Sequence, residues 1–397
     1  SRVGRRLEEG EAAVILGPEG AAVIPRSQLL PRITRRSGLA FDQRFRGEQV
    51  LSSTIRALRV DRMPIVVFMH AEEGSLLRQR EDRRDLVGVA TTLRASRFRV
   101  EEWVVPGSSR PTFEPDAIVV WVVIPPLETR SFEPSRREQA LIAATRALVE
   151  AGEPLLLNLK PSLLPEMDQT DPWAAVAGAL GVDAATGSFV YERMTLAEGR
   201  TAIRPDQTLH DFPAGHPICR AVHGQQVNLF RPVPLEVAAE AAPAAEYDVL
   251  MHIHPNGRRW LEDRLLTPVG ELEPPDRAGM LADPLTVGIA LDRPHPGGTG
   301  RQRALVIGSG VWMLSAFADA VERLGGGRVA LINPGNQELL LASAAWLSHL
   351  DALIAPSPIS QQVARLEGVT GVAWMSWFLS AAVLVPLACL LAGGVVW

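Results

Sequence analysis

Residues 116–159 read DAIVVWVVIPPLETRSFEPSRREQALIAATRALVEAGEPLLLNL, and this stretch decides the fold. Its two ends, 116–124 and 154–159, are continuous apolar runs, which predict strands buried on both faces. Between them, the capping box SRRE at 135–138 opens a series of apolar residues at helical spacing that ends at Gly152. Two buried strands joined by one helix form a βαβ unit, so we expect a parallel sheet with helices on both faces.

The same alternation continues on both sides of this unit. On the N-terminal side the sequence predicts a hairpin from 12–16 and 21–30, helices at 45–58 and 86–96, and strands at 64–69 and 98–105. On the C-terminal side it predicts a helix at 173–181, strands within 216–237, 247–255 and 285–292, and then a strand at 303–310, a helix at 311–325, a strand at 328–333 and a helix at 338–350. We therefore expect an α/β fold with a doubly wound, mostly parallel sheet of the flavodoxin or amidotransferase type. We expect an N-terminal α/β domain at 1–185, a second α/β part at 186–357, a juxtamembrane segment at 358–371 and a transmembrane helix at 372–397.

Length and composition exclude several classes of protein. A chain of 397 residues, 47% of them hydrophobic, can bury a large core, which excludes wholesale disorder. The net charge of −5, without a basic segment, argues against a nucleic-acid partner. Two cysteines, Cys219 and Cys389, stand far apart in the chain and cannot build a disulfide framework or a thiolate metal site. Lys160 is the only lysine, so no phosphate-binding Walker lysine can exist elsewhere in the chain.

The strongest single feature is an uncharged C-terminal run. From Gly368 to Trp397 thirty residues carry no charge, which exceeds the ~20 residues needed to cross a bilayer. Three tryptophans fall where a spanning helix would meet the two interfaces, and a proline near the middle is tolerated in such a helix. The predicted anchor residues are Trp374, Trp377, Pro386 and Trp397. A buried core helix is the alternative interpretation of this run.

Small residues are frequent within the same run. They let helix backbones approach closely, so we expect one face of the helix to contact partner helices, with Ser376, Ser380, Gly393 and Gly394 in the contact. The alternative is that alanine and glycine are simply common in spanning helices.

Other motifs carry weaker chemical signals. Gly308-Ser309-Gly310 follows a predicted strand and opens a predicted helix, which fits either a phosphate-binding turn or a tight turn without a ligand. His252 and His254 alternate on one predicted strand, which fits either a zinc site or a pair of partly exposed histidines. Because Cys219 does not follow a strand-to-helix turn, we interpret it as a small buried hydrophobic residue rather than a nucleophile. The residues therefore predict no catalytic, cofactor or metal site.

A collinear series of segments resembles a known family. FRGEQVLSSTIRAL looks like its "F-x-G-E-x-x-L-T-x-A-I" helix, PIVVFMHAEEG is similar to its "P-x-V-Y-F-x-x-G-H-G-E" strand and turn, and HPICRAVHG is similar to "H-P-I-T-x-x-L". RALVIGSGVWMLSAF and NPGNQELLLASAAWLSHL look like "R-V-V-V-x-G-D-S-D-F" and "G-N-x-D-L-L-L-N-A-x-N-W-L". This order resembles the auxiliary, gliding-motility-associated component of ABC-type transport systems, whose soluble part is related to a domain of an intraflagellar-transport protein. The turn at 308–312 departs from the pattern because it has lost both acids.

The resemblance and the C-terminal run together define the expected function. The resemblance implies a non-enzymatic auxiliary subunit that docks onto an ABC-type permease and its ATPase subunit. The run implies contact with membrane lipid and a location at the bacterial inner membrane, with the bulk of the chain in the periplasm. Association of the chain into a homo-oligomer is left as an open alternative. The alternatives are a module that binds a peptide or glycan at the carboxyl ends of the strands, favoured by an aromatic-lined pocket, and a divergent amidotransferase-like enzyme.

Overall fold

The structure is a computed structural model of the chain. It describes residues 12–17, 20–30, 32–34, 41–43, 45, 47–58, 62–126, 133–195, 200–241, 244–298, 300–323 and 329–357. All of these residues belong to one compact unit, Ser1–Ser360.

The strands of the described residues are numbered in chain order. They are β1 Ala12–Gly17, β2 Gly20–Pro25, β3 Arg32–Thr34, β4 Phe41–Gln43, β5 Ile65–His70, β6 Arg99–Val104, β7 Val119–Val123, β8 Leu155–Asn158, β9 Val182–Ala184, β10 Phe189–Thr195, β11 Thr201–Arg204, β12 Asp206–Leu209, β13 Val227–Phe230, β14 Leu235–Val237, β15 Glu246–Ile253, β16 Arg259–Glu262, β17 Leu285–Pro294, β18 Arg301–Ile307, β19 Val321–Arg323 and β20 Val329–Leu331.

The α-helices are numbered in the same way. They are α1 Arg26–Leu29, α2 Gly47–Ala57, α3 Val87–Ala95, α4 Arg136–Glu150, α5 Pro172–Gly178, α6 Pro217–Val222, α7 Ser315–Ala318 and α8 Pro334–Leu347, with short 3-10 turns at Pro165–Met167, Val269–Glu271, Arg277–Gly279 and Asp351–Leu353.

A seven-stranded sheet in the order β15-β17-β18-β8-β7-β5-β6 forms the centre of the fold. Strands β6, β5, β7, β8 and β18 run parallel, and β7-α4-β8 is the predicted βαβ unit. The prediction of a mixed α/β fold with a mostly parallel sheet is therefore confirmed. Strand β15 pairs antiparallel with β17, and β17 pairs antiparallel with β18, which was not expected. The short Gly-rich connection between β17 and β18 explains this, because a tight loop can join only antiparallel neighbours.

Helices cover both faces of the sheet. On one face α3, α6 and α8 pack on side chains such as Phe68, Val122 and Leu156, and on the other α4 and α5 pack on side chains such as Val67 and Leu157. The β5 side chains are all buried, as the apolar run predicted. The sheet takes strands from both 1–185 and 186–357, and this division into domains stays a prediction.

The start of α4 shows what the capping box does. Ser135 Oγ accepts the backbone N–H of Glu138 at 3.2 Å, which confirms the predicted N-cap. The Glu138 carboxylate turns inward to Lys160 and Trp173. Ser135 therefore caps α4, whereas the side chain of Glu138 takes part in tertiary packing.

Two parts of the sequence prediction are wrong in detail. Residues 217–222, expected within a run of strands, form α6, because His216 caps the helix with its side chain and Pro217 occupies its first position. The expected helix at 311–325 is reduced to α7, and β19 and β20 form a separate two-stranded ribbon rather than joining the central sheet. Trp312 explains the first change, since its fully buried indole holds 311–314 against β8.

Within the described residues, no helix is long and apolar enough to cross a membrane. The longest, α4, has 15 residues, about 22 Å at 1.5 Å per residue, against a bilayer core of about 30 Å. This finding contradicts the prediction of a protein held at the bacterial inner membrane by a C-terminal helix, and the prediction is not retained. The predicted anchor residues Trp374, Trp377, Pro386 and Trp397 and the predicted contact residues Ser376, Ser380, Gly393 and Gly394 lie outside the described residues.

Candidate functional site

The carboxyl edge of the parallel strands, where ligands bind in most open α/β sheets, is filled by the chain itself. Trp312 is fully buried and donates its indole N–H to Oδ1 of Asn158 at 2.8 Å. A Cβ on Gly308 would lie 2.1 Å from the carbonyl oxygen of Val233. The turn at 308–310 therefore packs directly against backbone, which favours its interpretation as a tight turn.

A sealed charged cluster lies beside the end of β8. Lys160 Nζ lies 2.9 Å from Oε1 of Glu138, and Trp173 Nε1 donates to the same oxygen at 2.9 Å. The side chains of Lys160 and Glu138 are only 13% and 7% exposed. Burial raises the pKa of Asp171, although the Thr186 hydroxyl and the Lys160 charge oppose the rise. Because the cluster is enclosed, it joins α4 and α5 to the end of β8 and does not present a reactive group to solvent.

A second buried network orders the loop after β5. His70 Nε2 lies 3.0 Å from Oε1 of Glu102, and His70 Nδ1 accepts the backbone N–H of Glu72 at 3.1 Å. The same Glu102 oxygen accepts the backbone N–H groups of Leu76 and Leu77 at 2.6 and 3.2 Å. Burial alone would raise the pKa of Glu102, but the hydrogen bonds from His70 and Leu76 hold it below its ordinary value. Both ring nitrogens of His70 are engaged, so this histidine has a structural role.

The opposite, amino edge of the sheet carries a pocket of about 510 Å³, which we call the amino-edge pocket. Its volume is in the range of sites for small organic ligands. The loop between β6 and β7, the turn before β8 and the end of α8 form its walls. It is lined by Arg110, Pro111, Thr112, Phe113, Glu114, Pro115, Ala117, Ile118, Val119, Trp121, Glu153, Pro154, Leu347 and His349.

Three side chains form a polar contact in this pocket. The guanidinium of Arg110 lies over the indole of Trp121, 4.9 Å from the ring centroid, and also bonds Oε1 of Glu153. Oε2 of Glu153 accepts the indole N–H of Trp121 at 3.3 Å. A single carboxylate therefore fixes both the cation and the ring beneath it.

Aromatic rings continue from this contact. Phe113 lies 6.4 Å from Trp121, and Trp103 meets Trp121 edge to face at 5.7 Å, both between ring centroids. A second guanidinium, that of Arg99, lies 5.8 Å from the Phe113 centroid. Of these rings, Phe113 and Trp121 line the pocket, so the aromatic lining that would favour a binding module lies at the amino edge instead of the carboxyl edge.

The charge of the lining is slightly negative. Glu114 and Glu153 face one arginine, Arg110. Burial and the nearby Arg303 charge lower the pKa of His349, so its imidazole is neutral at pH 7. Without Arg110 the pocket would hold two carboxylates and no full positive charge.

The histidines and the cysteine singled out from sequence lie elsewhere. His252 lies on the edge strand β15 and His254 follows the end of that strand, with the two ring centroids 5.9 Å apart. In the part of the chain that the structure describes, however, no three potential ligands cluster around a metal position. Cys219 is buried and bonds the carbonyl of Leu250 at 3.3 Å, and burial raises the pKa of its thiol to about 12. The interpretation of Cys219 as a buried hydrophobic residue is confirmed.

Sequence reasoning missed the amino-edge pocket. The loop at 105–118 contains Pro106, Pro111 and Pro115 around Arg110 and Phe113, and this composition is the signal that could have marked it. Glu153 and His349 stand far away in the chain and come together only through the sheet and α8.

Comparisons with known proteins assign no family. No family model and no curated protein matches the chain. Among solved structures, a glutamine amidotransferase from Thermotoga maritima aligns with 11% identity and a TM-score of 0.29, over 75% of this chain and 99% of its own.

This comparison corrects one prediction. The aligned structure is that of an enzyme, and the expectation that this chain is not an enzyme is not retained. A TM-score of 0.29 carries no argument for amidotransferase chemistry in this chain. The assignments to membrane and transport proteins are corrected on the finding that no described helix can span a bilayer.

Proposed function

We propose that the protein binds a peptide segment of a partner protein in the amino-edge pocket. The observation that carries the proposal is the contact of Arg110 with Trp121 and Glu153, because it presents a cation, a carboxylate and an aromatic wall within one pocket of about 510 Å³. Such a wall with a few fixed polar groups is the usual composition of a binding site. Docking through a peptide segment also agrees with the docking role that the resemblance implies.

A peptide fits the pocket better than a glycan does. Sugars stack on open aromatic faces, whereas guanidinium groups already lie over Trp121 and Phe113 at 4.9 and 5.8 Å. The remaining lining consists largely of prolines, aliphatic side chains and carboxylates. These groups match the alternating apolar and charged side chains of a polypeptide.

The finer fold assignment and the partner are part of the same proposal. Helices on both faces and the β7-α4-β8 unit support a doubly wound sheet of the flavodoxin or amidotransferase type. The ABC-type permease and its ATPase subunit remain predicted partners on the resemblance alone. Contact with membrane lipid remains a prediction from the uncharged run at 368–397, and the absence of a nucleic-acid partner one from the net charge of −5. A homo-oligomer remains an untested alternative.

The test is a binding screen with a matched pair of variants. The full chain is titrated with a diverse library of dodecapeptides and with a glycan array. Phe113→Ser removes the half-buried phenylalanine of the pocket, whereas Phe45→Ser removes an exposed phenylalanine, 67% accessible, that does not line it.

We expect peptides that bind the wild type and Phe45→Ser equally and bind Phe113→Ser at least about tenfold more weakly. Peptides that bind all three proteins equally, a library without a binder, or selective binding of glycans would contradict the proposal.

A further inference from the structure

The contact of Arg110 with Trp121 and Glu153 has the chemistry of a site that recognises a guanidinium group. A flat cation lies on an indole face and a carboxylate pairs with its edge, which is how proteins bind arginine side chains from other chains. Here the guanidinium in the site is that of Arg110, a residue of the same chain.

The receiving half of this contact is built into the sheet. Trp121 lies on β7 and is 1% exposed. The segment at Glu153 is held by two hydrogen bonds, from its own N–H to the carbonyl of Leu148 at 3.0 Å and from Gln302 Nε2 to its carbonyl at 2.9 Å. The indole of Trp121 and the backbone of Glu153 are therefore held by contacts that do not involve Arg110, and Trp121 Nε1 donates to the Glu153 carboxylate from β7 of the sheet.

The occupying half is built differently. Arg110 lies on the loop between β6 and β7, and its side chain is 45% exposed. An ion pair this accessible to solvent is weak, and a cation on a partly exposed ring adds only a modest attraction. Arg110 can therefore be displaced without disturbing the sheet.

We propose that the pocket takes an arginine side chain of the bound peptide, and that Arg110 is an internal competitor for the same place. This inference rests on the proposed function and names the residue that the peptide presents. The two carboxylates of the lining, Glu114 and Glu153, favour a cationic ligand once Arg110 has left. Because Arg110 competes for the same place, the apparent affinity for the peptide is the intrinsic affinity multiplied by the fraction of molecules in which the place is free.

The size of this effect follows from the weakness of the contact. Removing Arg110 should raise the affinity for an arginine peptide about tenfold, as expected for the loss of one exposed ion pair and one cation–π contact. Removing the charge of Glu153 should lower the affinity, because the guanidinium then loses its only direct carboxylate partner in the contact.

The experiment uses three blocked pentapeptides that differ at the central residue. They are acetyl-Gly-Gly-Xaa-Gly-Gly-amide with arginine, lysine or citrulline as Xaa. Citrulline has nearly the shape of arginine without its charge, so it isolates the contribution of the cation. Binding to the full chain is measured by isothermal titration calorimetry, and near-ultraviolet circular dichroism checks that each variant is folded.

The chain offers a matched control for Arg110→Ala. Arg264 pairs with Glu262 at 2.7 Å, and Glu262 also accepts the indole N–H of Trp260 at 3.2 Å, but these residues do not line the amino-edge pocket. Arg264→Ala therefore removes an arginine from a similar trio outside the pocket.

We expect Arg110→Ala to bind the arginine peptide about tenfold more tightly than the wild type and Arg264→Ala to match the wild type. Glu153→Gln should bind it at least tenfold more weakly than the wild type, and the citrulline peptide should bind none of them measurably. An unchanged or lower affinity in folded Arg110→Ala, or equal binding of arginine and citrulline, overturns the inference. If library peptides without arginine still depend on Phe113, the proposed function stands and only this inference fails.

Discussion

The imidazole of His216 lies edge to face with the indole of Trp346, with ring centroids 4.9 Å apart and an interplanar angle of 64°. His216 is buried, and its Nδ1 accepts the backbone N–H of Ile218 at 3.3 Å at the start of α6. The cap requires a neutral imidazole, because Nδ1 can accept this hydrogen bond only when it carries no proton. Burial lowers the pKa of His216 to about 4.

This contact makes stability depend on pH. The unfolded chain binds a proton at His216 near its ordinary pKa of 6.5 and the folded chain only near 4, so stability falls as pH drops between these values. We expect a loss of about 2 kcal/mol from this group between pH 7 and pH 5. Urea unfolding at both pH values measures it. Asparagine can also cap a helix but does not titrate. Between pH 7 and pH 5, His216→Asn should therefore lose about 2 kcal/mol less of its free energy of unfolding than the wild type loses. Equal losses in the two proteins would contradict the assignment of the pH dependence to His216.

Glu102 supplies a second test, in the loop after β5. One carboxylate oxygen accepts hydrogen bonds from His70 and from the backbone of Leu76 and Leu77. Because Glu102→Ala leaves three donors without their acceptor, we expect it to lower the free energy of unfolding by about 3 kcal/mol. The amide protons of Leu76 and Leu77 should also exchange faster. The neighbouring Glu101 forms only an exposed pair with Arg99, so Glu101→Ala should cost less than about 0.5 kcal/mol.

The core of the fold was predictable because its signals are local. The apolar runs of β7 and β8 and the Ser135 cap identify a βαβ unit from neighbouring residues alone. The inward turn of Glu138 to Lys160 was not predictable, because an exposed capping residue and a buried ion pair share one sequence pattern.

The contact of Arg110 with Trp121 and Glu153 in the amino-edge pocket could not be predicted for a related reason. Arg110, Trp121 and Glu153 stand on three separate segments, and only the register of β7 with β8 brings them together. The sequence rule for open α/β sheets pointed to the carboxyl edge, which Trp312 fills by packing on Asn158. Tertiary packing therefore decided which edge of the sheet stayed open.

Cys219 provides a chemical test of burial. With its pKa raised to about 12, the thiolate fraction at pH 8 is on the order of a thousandfold lower than for a free cysteine. In a Cys389→Ser background, where Cys219 is the only thiol, we expect the folded protein to react with Ellman's reagent at least a thousandfold more slowly than free cysteine. In 6 M guanidinium chloride, about the concentration that unfolds most domains, the reaction should proceed at the ordinary rate. Complete labelling of the folded protein within minutes would show that the thiol is accessible.

Two glycines test how tightly the carboxyl edge is closed. A Cβ at Gly308 would lie 2.1 Å from the carbonyl oxygen of Val233, and its three nearest atoms all belong to the Val233 backbone, so no flexible side chain can move away. Gly308→Ala should therefore lower the free energy of unfolding by about 3 kcal/mol or more. At Gly178, the last residue of α5, a Cβ would meet no atom within 4 Å, so Gly178→Ala should raise stability by about 0.5 kcal/mol through helix propensity. Guanidinium chloride denaturation of both variants and the wild type measures these free energies of unfolding. Equal effects of the two substitutions would mean that the turn at 308–310 can relax and that the carboxyl edge is open enough to admit a ligand.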